Sequence, residues 1–197
     1  MKTIAALYEN FSDGSAAVAA LEARGLDADH VSILSNTRDG VIDTGSTDVA
    51  KAGEAGAGIG AALGGAGGLL TGLGFMAIPG VGPVVAAGWL AALGLGAAVG
   101  AAAGVAVGGL IGVLTNSGIS DEDAELYAEA VKRGATLVTA KVSEERVNET
   151  QAILIAAGSI NPVLLRESYS NGGWTKFDPA NAVDLDEAER LRRRTAA

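Results

Sequence analysis

The side chains that could perform acid–base or metal chemistry in this sequence are few and scattered. There is one histidine, His30, which follows Asp29, and there is no cysteine. A single histidine cannot form a multi-histidine metal site, and the lack of cysteine excludes a thiol nucleophile, a disulfide framework and a zinc finger. The common nucleotide-binding, hydrolase and zinc-protease motifs do not occur. We therefore expect a protein that is not an enzyme and has no metal or cofactor, with His30 as an ordinary surface residue.

Charge is distributed very unevenly along the 197 residues. The chain has 14 Lys and Arg against 23 Asp and Glu, a formal net charge of −9, which disfavours nucleic acid as a partner because phosphate binding needs a cationic surface. No charged residue occurs from residue 55 to residue 120, a stretch rich in glycine and alanine. The acidic run Asp121 to Asp123 that ends this stretch is typical of the first turn of a helix capped by Ser120.

Glycine spacing is the most specific pattern in the charge-free stretch. Small residues recur at every fourth position in two runs, which we call the glycine ladders: Gly56, Gly60, Gly64, Gly68 and Gly72 in the first, and Gly88, Ala92, Gly96, Gly100, Gly104, Gly108 and Gly112 in the second. Each glycine costs a helix about 1 kcal/mol relative to alanine. Close contact between helix backbones offsets this cost, so the pattern predicts helix packing.

The charge-free stretch is predicted to form a helical hairpin, with helices over about 55–77 and 84–115. The turn between them is rich in helix breakers: Pro79, Gly80, Gly82 and Pro83. Small residues at every fourth position form a ridge that winds around a helix, so two helices packed along such ridges cross and separate after two or three glycines. The remaining ladder positions are therefore predicted to face other copies of the chain. The sequence thus predicts a homo-oligomer.

The two polar flanks repeat one plan. Strand, helix and strand patterns occur in residues 3–34, and again in residues 136–165, where 162–165 is predicted to be the last strand. Two such units form a ferredoxin-like sandwich of class α+β, with four antiparallel strands and two helices on one face. The predicted organisation is a first βαβ half (1–54), the hairpin (55–117), an αβαβ half (118–166) and a tail (167–197).

The location of the hairpin has two interpretations. Each arm is long enough to cross a bilayer, and no charge opposes insertion, so we expect a cytoplasmic (inner) membrane protein that contacts lipid. We call the predicted sandwich, residues 1–54 and 118–166, the head. An even number of spans would leave the head and the tail together in the cytosol, and no secretion signal is evident. Trp89 would lie at the membrane interface or in the core. The alternative is a cytoplasmic assembly, a shell or filament, that buries the hairpin.

The tail contains an aromatic, turn-rich segment and a charged end. Trp174 and Phe177 are predicted to dock on the head, or on a partner protein, through their rings. Docking on the head is the simpler interpretation. Near the end, Arg190 and residues 192–194 would either contact anionic lipid headgroups or be solvated.

Several segments together resemble the bacterial general stress protein family related to heat-induced stress proteins. They are the hairpin turn Ile78 to Pro83, the run from Gly118 through Tyr127 to Thr139, and Gly172 to Pro179. The resemblance implies a bacterial, stress-associated protein, often membrane-bound, with no catalytic residues to carry over. We therefore expect a role in envelope organisation or stress protection. A small-molecule-sensing α+β module is a further alternative.

Overall fold

The computed structural model describes residues 1–36, 74–78, 81–90 and 109–179 of the chain. They form a mixed α+β fold in which helices pack on an antiparallel sheet. The strands are β1 (Lys2–Tyr8), β2 (Val31–Asn36), β3 (Gly74–Ile78), β4 (Gly82–Gly88) and β5 (Thr136–Val142). The helices are α1 (Phe11–Ala23), α2 (Gly109–Asn116), α3 (Asp121–Lys132), α4 (Val147–Ala156) and α5 (Pro162–Asn171).

The sheet joins strands from both sides of the charge-free stretch. Its order is β1-β5-β2-β4-β3, and every neighbouring pair is antiparallel. β5 lies between β1 and β2, which run in the same direction and are connected through α1. The two polar flanks are therefore parts of one sheet, held together by the hydrogen bonds of the β5 ladder on both sides.

Side-chain caps begin two of the helices, one of them at the predicted residue Ser120. The Asn10 side chain accepts a hydrogen bond from the Asp13 N–H at the start of α1, and Ser120 does the same for Asp123 at the start of α3. The glycine that follows α3, Gly134, has a φ of 96°, a conformation that ends a helix at little cost only for glycine.

Two apolar layers cover the sheet. On one side, here called the α1/α4 face, α1 and α4 pack on alternate residues of the strands, including Val138 and Ala140 of β5. On the other side, the α2/α3 face, α2 and α3 cover the residues between them, such as Leu137. The structure confirms the α+β class.

The second unit does not end in the predicted strand. Residues 162–165 begin helix α5, because the Asn161 side chain accepts hydrogen bonds from the N–H groups of Val163 and Leu164 and Pro162 occupies the first helical position. Only Ile160 joins the sheet edge, through one bridge in which its N–H donates to the Leu7 carbonyl at 2.7 Å. The ferredoxin-like arrangement of two equal halves is therefore not confirmed.

The predicted helical hairpin is wrong around its turn. Residues 74–78 and 82–88, assigned to helix ends at 77 and 84, are instead the β-hairpin β3–β4, and β4 pairs with β2. Gly82 and Gly88 have φ values of 101° and 82°, which an α-helix does not contain. The β-branched pair Val84 and Val85 favours the strand. By itself, the spacing of small residues at every fourth position favours helices here instead of strands.

Within residues 1–36, 74–78, 81–90 and 109–179, no helix has both the length and the apolar character needed to cross a bilayer.

Candidate functional site

Most ladder positions lie outside the described residues. The whole first ladder and residues 92–108 of the second are in this group, and so are the turn residues Pro79 and Gly80. The described ladder members are Gly88 and Gly112. The strands β3 and β4 interrupt the charge-free stretch. The parts of the two ladders outside the described residues therefore lie in residues 55–73 and 91–108, and from here on the two ladders mean these two ranges.

Gly88 has a different function from the one its spacing predicts. It lies at the end of β4 with φ 82°, opposite Ser32 of β2. A Cβ atom built there would lie 2.8 Å from the Ser32 Cα and closer still to the Val31 carbonyl oxygen. Because real Cβ atoms do not approach a backbone this closely, Gly88 is required for strand pairing inside the head, rather than for contact between helices.

Gly112 also departs from the predicted packing role. It lies in α2, and a Cβ atom built on it would meet no heavy atom of the described residues within 4 Å. α2 buries Leu110 and Leu114 on its opposite side. Gly112 therefore lies on a face of α2 that is open in the part of the chain described here.

The turn residues that are described connect strands. Gly82 begins β4, and Pro83 pairs with Ala77 in the β3–β4 register. The Val81 N–H donates to the Ile78 carbonyl at 3.0 Å, and the Asn36 side-chain amide donates to the Val81 carbonyl at 3.0 Å. The turn is thereby fastened to the end of β2, so it belongs to the head.

The tail packs on α3 through Phe177. The ammonium group of Lys132 lies 5.3 Å from the centroid of the Phe177 ring and donates to the Asp178 carbonyl at 2.7 Å. The Phe177 N–H donates to Glu125 Oε2 at 3.4 Å. These contacts bring residues 46 and 52 positions apart together, so the tail is held on the head at both its backbone and its ring.

Trp174 lies near the contact between Phe177 and α3, and it packs against α5. Its ring makes an edge-to-face contact with Tyr169, at a centroid distance of 6.1 Å and an interplanar angle of 71°. The Arg133 guanidinium lies 4.2 Å from the Tyr169 ring centroid and donates through Nε to Glu129 at 2.7 Å. Glu129 is almost fully buried, and the guanidinium compensates its charge. The cluster links α3, α5 and the tail.

Hydroxyl pairs line the seam between β2 and β5. Ser32 Oγ and Thr139 Oγ1 lie 2.9 Å apart, and Ser35 Oγ and Thr136 Oγ1 lie 2.8 Å apart. All four groups are buried. Each pair satisfies its own hydrogen bonding across the strands, so these hydroxyls have a structural explanation.

Two burial effects raise tyrosine pKa values in the head. Burial, with a smaller contribution from Asp13, raises the pKa of Tyr8, whose hydroxyl donates to the Leu154 carbonyl at 3.0 Å. Burial, reinforced by Asp123 and partly opposed by Arg166, raises the pKa of Tyr127 to about 12. Both effects disfavour the tyrosinate form, so both tyrosines are neutral at physiological pH.

The single histidine is on the surface of the described structure. His30 ends a short 3₁₀ helix and lies 4.0 Å from Asp27, rather than pairing with Asp29. In the part of the chain that is described, no three histidine, aspartate or glutamate side chains converge as a metal site would require.

Trp89 belongs to the core of the α2/α3 face. Only 7% of it is exposed, and it packs in the same cluster as Leu90 and Leu110. The Lys141 ammonium lies 3.6 Å from the Trp89 ring centroid, a cation–π contact. Sequence reasoning missed Lys141, although its alternation with the buried Ala140 and Val142 places it on the α2/α3 face.

Comparison with protein-family models, with curated proteins and with solved structures found no match to this chain.

Proposed function

We propose that this is a non-enzymatic, stress-associated protein that self-assembles through its two glycine ladders. The single observation that carries the proposal is the position of the β3–β4 hairpin. It lies in the middle of the charge-free stretch, and β4 is hydrogen-bonded to β2 of the head. The hairpin thus divides the charge-free segment into two ladders: the first precedes β3, and the second connects β4 to α2.

The two ladders are closely matched in length. Gly56 to Gly72 and Ala92 to Gly108 each contain five small residues at spacing four. If helical, each run extends about 25 Å. Since a glycine-lined ridge is destabilising in isolation, each ladder needs a neighbouring backbone, and a second copy of the chain supplies an identical one.

The attachment of the ladders favours a protein assembly over a transmembrane hairpin. A hairpin that crosses a bilayer must place its turn on the far side, whereas Val84 to Gly88 of β4 are paired with β2 of the head. The second ladder connects β4 to α2 through about 18 residues and cannot cross and return, because one crossing alone needs about 20. We therefore propose that the ladders pack between copies of the chain. A transmembrane location of the ladders is the competing arrangement.

A ferredoxin-like arrangement of the head is part of the same proposal. α1 and α4 lie on one face and contact each other, and Ile160 pairs with Leu7 beside β1. A four-stranded sandwich with two helices on one face has this layout when the chain beyond α4 is extended along β1. The β3–β4 hairpin would then be an addition to the opposite edge of the sheet.

Sedimentation analysis of ladder variants tests self-assembly. Gly100→Leu and Gly104→Leu place a bulky side chain on the ladder ridge and are expected to shift the protein from oligomer to monomer. Gly94→Leu, which lies off the ridge, is the matched control and should leave the oligomer largely intact. A monomeric wild-type protein, or equal effects of all three substitutions, would contradict the proposal.

Fractionation of cells with a carbonate wash tests the location. Release of the protein into the soluble fraction, still oligomeric, is expected for ladders packed between copies. Retention in the washed membrane would support the transmembrane interpretation and overturn the assembly described here.

A further inference from the structure

A cavity of about 590 Å³ opens between the start of β1, the end of α2 and β5. This volume is in the range of small-molecule sites. The residues that line it are Met1, Thr3, Val113, Asn116, Ser117 and Lys141. None of the six is acidic, although the chain as a whole has a net charge of −9. The cavity is thus a locally cationic site on an acidic protein.

Within the described part of the chain, the Lys141 ammonium contacts an aromatic ring and no carboxylate. Lys141 is half-buried, and no carboxylate of the described residues lies within salt-bridge distance of its ammonium. Its contact is instead the face of Trp89, at 3.6 Å from the ring centroid. A cation–π contact leaves the ammonium N–H groups free to donate to an anion, because the ring face offers no lone pairs.

Neutral hydrogen-bonding groups accompany the cation. Thr3 provides a hydroxyl and Asn116 an amide, each able to donate to a bound anion. The Ser117 hydroxyl already donates to the Val113 carbonyl at 2.8 Å, so it is limited to accepting. The Val113 side chain and, at the solvent edge, the 82% exposed side chain of Met1 supply the apolar part of the lining. The Lys141 ammonium, two neutral donors and this apolar part match a carboxylate on a short hydrocarbon chain.

We propose that this cavity binds a small organic monocarboxylate, with the carboxylate on Lys141 and the apolar chain against Met1 and Val113. A phosphate dianion fits less well, because the surrounding protein is acidic. Binding moves the ammonium from the Trp89 ring toward the carboxylate, so the indole reports occupancy.

Tryptophan fluorescence of the full-length protein tests the proposal. The variant Trp174→Phe leaves Trp89 as the sole tryptophan, and butyrate is the probe, with sodium phosphate and butylammonium chloride at equal ionic strength as controls. We expect a saturable change in Trp89 emission with butyrate and none with butylammonium. Phosphate is expected to bind at least ten-fold more weakly.

Variants on the same background identify the site. Lys141→Met should weaken butyrate binding at least ten-fold, Lys141→Arg should retain it, and Asn116→Leu should weaken it while leaving the cation in place. Lys2→Met is the matched control, because Lys2 is on β1 but faces the opposite side of the sheet from Thr3. Circular dichroism checks that each variant is folded.

Three results would overturn the proposal. The first is the absence of a saturable response to butyrate in the folded Trp174→Phe protein. The second is an unchanged response in both Lys141→Met and Asn116→Leu, which would place binding elsewhere. The third is an equal response to phosphate and butyrate, which would indicate general anion screening instead of a carboxylate site.

Discussion

The two faces of the sheet differ in how they are built and in what they carry. The α1/α4 face is covered by helices that directly follow their strands, and its apolar core also contains the Ser35–Thr136 hydroxyl pair and Tyr8, which is bonded to the Leu154 carbonyl. The α2/α3 face is assembled from distant pieces of chain, including the tail, and it holds Lys141, Trp89 and the cavity that Lys141 lines. Both faces bury an apolar core, whereas this cation and the cavity lie on the α2/α3 face.

The sheet seam common to both faces should be the most sensitive position. Gly88→Ala is expected to lower the free energy of unfolding by more than about 4 kcal/mol, or to prevent folding, since the added Cβ collides with the backbone of β2. Gly112→Ala is the control from the same four-residue spacing: it enters open space in a helix and should stabilise the protein by about 0.5–1 kcal/mol. Urea denaturation measures both, and equal effects would contradict the distinction between the two glycines.

Core truncation should separate the two faces. Leu21→Ala removes a fully buried side chain of the α1/α4 face and is expected to cost about 3 kcal/mol through lost burial and a cavity. Leu165→Ala, at a partly buried position on the α2/α3 face, should cost less than about 1.5 kcal/mol. Thermal unfolding of the two variants provides the comparison; a larger loss at Leu165 would contradict the difference in burial between the two positions.

Alkaline pH should destabilise the head through one tyrosine on each face. The folded pKa values of Tyr8 and Tyr127 lie above the ordinary value of 10.0, so their contribution to stability is complete below pH 10 and is lost as the pH rises toward 12. Each tyrosine contributes a slope of up to about 1.4 kcal/mol per pH unit in this window. Denaturation curves at pH 8 to 11.5 measure the slope.

Phenylalanine substitutions distinguish these two tyrosines. Tyr127→Phe should reduce the alkaline slope, with little change at pH 7. Tyr8→Phe should reduce the slope and also cost about 1 kcal/mol at pH 7, because the buried hydrogen bond from the Tyr8 hydroxyl to the Leu154 carbonyl is lost, although that carbonyl still accepts from the Ser159 N–H. An unchanged slope in both variants would show that other groups cause the alkaline transition.

The smallest effect is expected where the tail meets α3. Phe177→Ala removes the ring that Lys132 contacts and should cost about 1 kcal/mol or less, while cleavage of the tail by protease becomes several-fold faster. Thr175→Ala, at an exposed neighbouring position, should change neither quantity. Limited proteolysis followed by mass spectrometry provides the readout, and similar cleavage rates in both variants would show that Phe177 does not hold the tail.

The sequence by itself determined features that depend on near neighbours. The Ser120 cap predicted the start of α3, because its hydrogen bond to the Asp123 N–H closes within three residues, and the local strand patterns predicted β1, β2 and β5. The α+β class followed from them. The same local rule explains the missed helix α5, where the cap by Asn161 and Pro162 outweighs an apolar run that also suits a strand.

Only the tertiary structure decided the features that depend on distant partners. Gly88 occurs in a perfect four-residue spacing, yet its conformation is fixed by the backbone of β2, which is 56 positions away and leaves no room for a side chain. Lys141 and Trp89 are likewise unremarkable in sequence and meet because β4, β5 and α2 share one face. The spacing of apolar and small residues indicates which residues share one surface of a helix or strand. It does not indicate which other element covers that surface, since that depends on how the whole sheet buries its apolar area.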